Sequence, residues 1–267
     1  MSLLQAIVLG LIQAVTEFLP ISSSGHLILV PRLLGWPDQG LAFDEAVHVG
    51  TLVATLLYFR REVAEMTAGL FASLRRPAEA PPAGRFAWLL GLGTVPAAVA
   101  GLLLADWVGT VARDPLLIAG TLIGYGILLG LADRFGRRDR GLETVGLKAA
   151  MLIGLAQALA LVPGTSRSGI TITAALFLGL DRTAAARFSF LLSIPVGLLV
   201  AVHDLVQIGS GEVPQAGLVS LGAAFLVSAA AAYLVIAALL AWVRVRSLMP
   251  FVAYRVALGV SILALLG

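Results

Sequence analysis

The chain contains no cysteine and little charge. Only 12% of its 267 residues are Asp, Glu, Lys or Arg, whereas soluble domains carry about 25%. The lack of cysteine excludes disulfides, thiol nucleophiles and thiolate-bound metals. The shortage of charge excludes an ordinary soluble domain, because so few charged residues would leave large apolar patches exposed and the protein would aggregate.

What the chain has instead is apolar sequence, with 59% hydrophobic residues and 29 glycines. A membrane-spanning helix needs about 20 apolar residues. These runs predict an all-α polytopic membrane protein that forms one membrane domain over residues 1–267. Six segments are predicted to span the membrane: residues 43–59, 86–105, 115–132, 185–206, 216–243 and 250–266.

Two further apolar regions are interrupted by polar and helix-breaking residues. Residues 3–37 are broken at Pro20 and the serines after it, and residues 145–181 are broken at 163–169. The pieces on either side have about 10–15 residues, which reach mid-bilayer at 1.5 Å per residue. We therefore predict two re-entrant helix–loop–helix pairs, which must be buried in protein or line a wet cavity.

The two interrupted regions resemble each other at an offset of 144 residues. The offset superimposes Gly10, Gln13, Ala14, Ser22, Ser24 and Gly25 on Gly154, Gln157, Ala158, Ser166, Ser168 and Gly169. This match predicts a duplication, with repeat one at residues 1–140 and repeat two at 145–267. Each repeat has one re-entrant pair and three spans, and an odd number of spans inverts the second repeat relative to the first.

The distribution of basic residues predicts the orientation. Fourteen of the 18 Lys and Arg residues fall on one side of the predicted membrane, and Arg32 and Arg113 fall on the other. The first side is therefore predicted to be cytoplasmic, with both termini in the periplasm. The first segment is not expected to be a cleavable signal, because no basic residue precedes Arg32.

The second break carries an arginine between two hydroxyl residues, Arg167 between Ser166 and Ser168. Guanidinium groups bind phosphate oxygens well. The turn that begins at Pro163 leads into a helix start that Thr165 or Ser166 is expected to cap, and free backbone N–H groups there bind anions. The second break is therefore predicted to be an oxyanion site.

The first break carries Glu17, the serines at 22–24 and His26. A hydroxyl with an imidazole can form a nucleophile and its base, or an acid–base pair. Glu17 is expected either to orient His26 or to bind a divalent cation, with Gln13 one helical turn earlier. Together the two breaks predict hydrolysis of a lipid phosphate. The alternative is a transporter or flippase of a lipid phosphate, since inverted repeats with broken helices are typical of transporters.

Other polar residues in apolar segments carry weaker signals. Asp44, Glu45 and His48 open the first span at helical spacing and are expected to line the entrance to the site. For Asp44 and Glu45 a position at the membrane interface is an equal alternative. Arg255, near the start of the last span, is expected to snorkel to the membrane surface or to pair with a carboxylate.

Two long motifs resemble those of one enzyme family. Residues 13–26, QAVTEFLPISSSGH, are similar to the (E/Q)xxxE motif and the following SS-G-H motif of the undecaprenyl pyrophosphate phosphatases, which are linked to bacitracin resistance. Residues 163–171, PGTSRSGIT, resemble that family's PGxSRSxxT motif. The resemblance covers essentially the whole chain.

The resemblance implies hydrolysis of undecaprenyl pyrophosphate to undecaprenyl phosphate, the lipid carrier for peptidoglycan precursors. It implies a bacterial inner-membrane enzyme whose active site opens towards the periplasm. It also implies a divalent cation, Mg²⁺ or Ca²⁺, held by Glu17 and Gln13. The implied catalytic residues are Glu17, Ser23, His26 and Arg167, and the implied substrate-binding residues are Gln13, Ser22, Ser24, Gly164, Thr165, Ser166, Ser168 and Thr171.

Three choices of nucleophile stay open at this point. We favour Ser23, assisted by His26 and Glu17, over His26 itself and over a metal-activated water. The predicted partners are the polyprenyl lipid substrate and membrane lipids, with no nucleic acid, and a homodimer is left open.

Overall fold

The structure is a computed structural model and describes residues 1–76, 79–111, 114–209 and 217–266. In these residues the chain is helical, with no strand and one isolated β-bridge between Arg140 and Leu180. Arg113 and the first residue of the predicted span 216–243 lie outside the described residues. The described helices are α1 (Leu3–Phe18), α2 (Ser23–Leu33), α3 (Leu41–Tyr58), α4 (Arg60–Arg75), α5 (Pro82–Val111), α6 (Pro115–Phe135), α7 (Leu147–Ala158), α8 (Arg167–Phe177), α9 (Arg182–Gly209), α10 (Leu218–Val245) and α11 (Met249–Leu266).

Several of these helices are long and apolar enough to cross a membrane, which confirms a multi-pass membrane protein. The four such segments coincide with four predicted spans: Pro82–Leu104, Pro115–Phe135, Arg182–Val202 and Leu218–Val245. A fifth candidate needs α3 and α4 together, and these are bent by 82°. Helix α11 is apolar but shorter than these helices, so the count of six spans stays a prediction.

Helix α4 was not predicted, and it lies where the sequence turns polar. Four of its first six residues are charged, so no apolar run marks it. Its contact with α5 includes a hydrogen bond of 2.9 Å from the Trp88 indole N–H to the Ser73 hydroxyl. Polar contacts of this kind leave no pattern in hydropathy, which explains the omission.

The two interrupted regions form short broken helices, as their sequences predict. Helix α1 starts at a capping box between Ser2 and Gln5 and ends before Pro20, because proline and the turn after it cannot continue the helix. Helix α7 ends in a short 3₁₀ turn, Leu159–Leu161, before Pro163. The helix breaks are therefore confirmed, while the re-entrant path through a bilayer stays a prediction.

Close packing with longer helices fixes the positions of the short ones. Helix α1 packs on α10, and α7 packs on α5. At Gly10 an added Cβ would lie 2.8 Å from the Ala224 carbonyl oxygen, so only glycine permits this approach of α1 to α10. At its other end α1 is anchored by Phe18, whose ring packs edge-on to Phe190 of α9 with centroids 5.2 Å apart.

Candidate active site

The two breaks end in turns of the same local geometry. Ser22 and Ser166 both have positive φ, 77° and 71°, and each is the N-cap of the helix that follows. Each hydroxyl accepts a hydrogen bond from the N–H of the glycine three residues later, at 3.4 Å for Gly25 and 3.1 Å for Gly169. Side-chain capping of this kind holds the first turns of α2 and α8, whose remaining free N–H groups favour anions.

Residues from both breaks meet at the carboxylate of Glu17. Its Oε1 accepts a hydrogen bond of 2.7 Å from Arg167 Nη2. Its Oε2 accepts from the Ser23 hydroxyl at 2.8 Å and from Gln13 Nε2 at 3.1 Å. Four predicted site residues, drawn from motifs about 150 positions apart, thus form one connected network.

The helix that carries Arg167 is held from behind by hydroxyl contacts. Arg167 Nη1 donates to the Ser189 carbonyl at 3.1 Å, and the Thr171 hydroxyl lies 2.7 Å from the Ser189 hydroxyl. The Ser168 hydroxyl donates to the Leu19 carbonyl at 3.2 Å and so joins the second break to the first. Thr171 and Ser168 are fully buried. Their described contacts are with neighbouring protein groups, so they hold helix α8 and Arg167 in position.

A cavity of about 320 Å³ opens beside this network. This volume lies within the range of small-molecule sites, roughly 300–1,000 Å³. Its polar lining consists of Glu17, Ser23, Ser24, Glu45, His48, Thr51, Thr55, Ser166, Ser193 and Arg167. Of the predicted substrate-binding residues, Gln13, Ser22, Gly164, Thr165, Ser168 and Thr171 are not in its lining.

His26 lies apart from the cavity and is engaged elsewhere. Its Nδ1 is 2.6 Å from the Ser22 carbonyl oxygen, which can only accept, so Nδ1 carries the proton. Its Nε2 is 2.6 Å from the Tyr254 hydroxyl, and it accepts that hydrogen bond. The two rings are stacked with centroids 5.7 Å apart. Glu17 therefore does not orient His26, and cation binding by Glu17 stays a prediction.

The imidazole that does face Glu17 belongs to His48. Its Nδ1–H donates to the Asp44 carbonyl at 2.8 Å, so Nε2 is directed to Glu17 Oε2 at 3.6 Å. The sequence marked His48 only as a residue of the entrance, and the structure places it in the cavity lining beside Glu17. The signal was its position one helical turn after Asp44 at the start of a span.

Arg255 does not snorkel to the surface, and it pairs with no carboxylate of the described residues, so both sequence expectations for it are wrong. The residue is fully buried. Its guanidinium reaches both turns, with Nη1 3.2 Å from the Pro20 carbonyl and Nη2 3.0 Å and 2.9 Å from those of Gly164 and Thr165. In all it donates to five backbone carbonyls, those of Pro20, Thr121, Leu122, Gly164 and Thr165. Its guanidinium therefore connects the two breaks by hydrogen bonds to both turns.

The oxygen atoms around Glu17 suit a hard divalent cation. Gln13 is fully buried, and its Oε1 has no hydrogen-bond partner among the described residues. Among those residues, no three His, Asp or Glu side chains converge as a complete metal site. A set of one carboxylate, one amide oxygen and substrate phosphate oxygens is nevertheless typical for Mg²⁺. Gln13 and Glu17 thus fit such a cation when a phosphate substrate completes the ligands.

The fold and the site define a class: a multi-pass helical membrane protein with a carboxylate–hydroxyl–guanidinium site built from two helix breaks. A protein-family model described as bacitracin resistance protein BacA matches residues 6–261. The chain belongs to this family.

Full-length relatives are named for one activity. A protein of Magnetococcus marinus is 52% identical over 270 residues, covering 100% of both chains. A protein of Trichlorobacter lovleyi is 51% identical over 100% of this chain and 98% of its own length, and one of Alteromonas mediterranea is 50% identical over 98% of both. All three carry the name undecaprenyl-diphosphatase.

Proposed function

We propose that this protein hydrolyses undecaprenyl diphosphate to undecaprenyl phosphate and inorganic phosphate. The observation that carries the proposal is the carboxylate of Glu17, which accepts hydrogen bonds from the Ser23 hydroxyl and from the Arg167 guanidinium. One cavity thus holds a base, the Glu17 carboxylate, a nucleophile, the Ser23 hydroxyl, and a phosphate-binding group, the Arg167 guanidinium. The name shared by relatives of about half identity over the full chain supports the same activity.

In the first step the Ser23 oxygen attacks the terminal phosphorus. The new Oγ–P bond forms as the phosphoanhydride bond breaks and undecaprenyl phosphate leaves. The hydroxyl proton passes to Glu17 Oε2, 2.8 Å away, and then to the departing phosphate oxygen. Arg167 and the free N–H groups at the start of α8 stabilise the negative charge on the transferred group.

In the second step water attacks the phosphoserine, and Glu17 accepts a proton from that water. The Oγ–P bond breaks, Glu17 returns that proton to the Ser23 oxygen, and inorganic phosphate leaves. A divalent cation, Mg²⁺ or Ca²⁺, bound by Glu17 and the Gln13 amide oxygen would neutralise charge on the diphosphate. Positioning and charge stabilisation carry most of the catalysis in phosphoryl transfer.

The geometry favours Ser23 over the other nucleophiles and hydrolysis over transport. Both nitrogens of His26 are hydrogen-bonded outside the cavity. A mechanism with a metal-activated water does not use the hydrogen bond from the Ser23 hydroxyl to Glu17. A flippase would need a phosphate-binding arginine but no hydroxyl activated by a carboxylate.

We also propose the topology of six spans and two re-entrant pairs in an inverted repeat. The packing supports it, because exchanging the equivalent helices of the two repeats turns the α1–α10 and α3–α10 contacts into the α7–α5 and α9–α5 contacts. The excess of basic residues on one side favours an orientation with both termini periplasmic. The inner membrane and a site that opens to the periplasm are proposed because the peptidoglycan lipid carrier is the proposed substrate. In that setting the enzyme would recycle the peptidoglycan lipid carrier and confer bacitracin resistance. A homodimer stays a prediction.

We expect the purified protein in detergent to release phosphate from a polyprenyl diphosphate in the presence of Mg²⁺. Ser23→Ala should lower the rate by about 10³-fold, because it removes the attacking atom. Acid-quenched turnover should give a phosphopeptide containing Ser23 by mass spectrometry. Ser261→Ala is the control, since that exposed hydroxyl donates to the Ala257 carbonyl of its own helix. Near-normal turnover by Ser23→Ala without a phosphopeptide would refute the serine mechanism.

Tyr254→Phe tests whether His26 takes part in the chemistry. It removes the hydroxyl that His26 Nε2 accepts from at 2.6 Å. We expect a loss of unfolding free energy of about 1 kcal/mol, with phosphate release within a few-fold of the unaltered protein. Both quantities can be measured on one detergent preparation. A fall in rate of more than a hundredfold with the fold intact would place the His26–Tyr254 pair in the reaction.

A further inference from the structure

A second cavity, of about 730 Å³, lies between α4, α5, α9 and the segment that precedes α7. It shares no lining residue with the cavity beside Glu17. Its volume is within the range of small-molecule sites, roughly 300–1,000 Å³. We name it the α4–α5 cleft and define it by the charged residues of its lining, which are Glu62, Glu65, Arg85, Glu143 and Arg187.

Close packing holds the helices around the α4–α5 cleft in place. Helices α4 and α5 cross in backbone contact, because an added Cβ at Gly69 would lie 2.5 Å from the Gly84 backbone nitrogen. Phe86 of α5 packs edge-on to Phe188 of α9, with ring centroids 6.0 Å apart. The cleft therefore lies between helices whose separation is set by direct contacts.

The lining of the α4–α5 cleft changes from charged to apolar along two membrane-spanning helices. Arg85 lies in the first turn of α5, and Arg187 lies in the second turn of α9. Leu89 and Leu191 follow one helical turn later and line the same space. Both helices begin their apolar segments at this end. The charged rim therefore lies at the level of lipid headgroups, and the leucines lie where acyl chains begin.

Two of the five charged side chains neutralise each other, and three are left for a ligand. Arg187 Nη2 donates to Glu62 Oε1 at 2.8 Å. Among the described residues, Arg85, Glu65 and Glu143 form no ion pair, and all three are exposed. The cleft thus offers one guanidinium and two carboxylates above an apolar floor. A ligand that matches this lining carries a phosphate and an ammonium group on an apolar chain.

We propose that the α4–α5 cleft binds the headgroup of one phospholipid that carries a primary ammonium group, such as phosphatidylethanolamine. The Arg85 guanidinium binds the phosphate, since its planar fork matches phosphate oxygens. The ammonium group has three N–H donors and binds the carboxylates of Glu65 and Glu143. The acyl chains begin on Leu89 and Leu191. A phosphatidylglycerol headgroup has no cation for the two carboxylates, so it binds less tightly. No part of this proposal depends on hydrolysis of a diphosphate.

Native mass spectrometry of the delipidated protein in detergent, titrated with each phospholipid, tests this proposal. We expect phosphatidylethanolamine to bind at least tenfold more tightly than phosphatidylglycerol. The double variant Glu65→Gln with Glu143→Gln should lose this preference, because amides keep the shape of the side chains and remove their charge. Arg85→Ala should weaken the binding of both lipids at least tenfold, because both carry the phosphate.

Arg76→Ala is the matched control for the loss of an arginine. Arg76 lies at the end of α4, is 78% exposed and pairs with Glu79 outside the cleft. This variant should bind both lipids as the unaltered protein does. Equal affinity of the unaltered protein for the two lipids would overturn the proposal. Unchanged binding of phosphatidylethanolamine by Arg85→Ala would also overturn it.

A second measurement uses the unaltered protein and does not depend on a variant folding. In vesicles of phosphatidylglycerol, a trace of phosphatidylethanolamine with a photoreactive group near its headgroup should label α4, the start of α5 or residues 142–145. Added unlabelled phosphatidylethanolamine should suppress this labelling, and added phosphatidylglycerol should not. Labels confined to other helices, or labels that phosphatidylglycerol suppresses equally, would refute a specific ethanolamine lipid site.

Discussion

Replacing Arg167 by alanine is expected to lower phosphate release by about 10³- to 10⁵-fold, the range known for arginines that stabilise phosphoryl transfer. The guanidinium is the only arginine in the cavity lining among the described residues, and it lies 2.7 Å from Glu17. Its loss removes both the cation for the transferred phosphoryl group and the partner that holds the Glu17 carboxylate in place. The measurement is phosphate release under substrate saturation. Arg167→Lys should recover only part of the rate, because ammonium lacks the planar fork that binds two phosphate oxygens.

The same substitution leaves a buried carboxylate without its partner. Breaking one side of a buried ion pair costs about 3–5 kcal/mol, and Glu17 is only 12% exposed. The double variant Glu17→Gln with Arg167→Ala should therefore unfold at a higher temperature than Arg167→Ala alone, yet remain inactive. Arg137→Ala is the control, since Arg137 is 82% exposed and pairs with Asp139. Near-normal turnover by a folded Arg167→Ala protein would remove Arg167 from the site.

Arg255→Met is expected to give the second large effect, on stability and turnover together. The substitution removes a donor from five carbonyl oxygens, and those of Pro20, Gly164 and Thr165 lie in turns, where no helical hydrogen bond replaces it. Each buried unsatisfied group costs about 1–3 kcal/mol, so we expect a loss of about 3 kcal/mol or more after relaxation. The Pro20 and Gly164 turns would then no longer share a donor, and kcat should fall by at least a hundredfold.

A second replacement, Arg255→Lys, separates the effect of the positive charge from the effect of the guanidinium geometry. The Arg255 side chain fills a space between two glycines. An added Cβ at Gly169 would lie 2.7 Å from Arg255 Nη1, and one at Gly126 would lie 3.1 Å from Arg255 Cβ. Arg255→Lys keeps the charge but has three donors in place of five, so it should recover part of the stability and little of the rate. Arg246→Met, at an exposed arginine after α10, is the control. Full activity of Arg255→Met would show that the turns hold their positions without it.

Hydropathy located the long apolar helices of this fold and missed the helix that begins with charged residues. The long helices α5, α6, α9 and α10 coincide with predicted spans because each carries a long apolar run. The breaks were also predictable, because proline and clustered hydroxyls interrupt that run. Helix α4 was not, since its charged residues conceal a helix stabilised by contact with α5.

The site was predictable where one residue type implied one chemistry. Glu17, Ser23 and Arg167 stood out as polar groups at membrane depth, and the structure joins them at one carboxylate. Contacts between distant segments were not predictable. No local pattern shows that Nε2 of His26 meets Tyr254 while His48 faces Glu17, or that Arg255 reaches both breaks.

The two serine-capped turns have the same backbone but carry different chemistry. At the 144-residue offset Glu17 corresponds to Leu161, and Ser23 corresponds to Arg167. Leu161 lies in the wall of the same cavity that Glu17 lines. The first break therefore supplies the nucleophile Ser23 and its base Glu17, and the second break supplies the guanidinium of Arg167. Such a division of labour makes each half chemically incomplete, so neither half expressed alone would hold a working site, and a pair of identical copies of either half would lack one of the two roles.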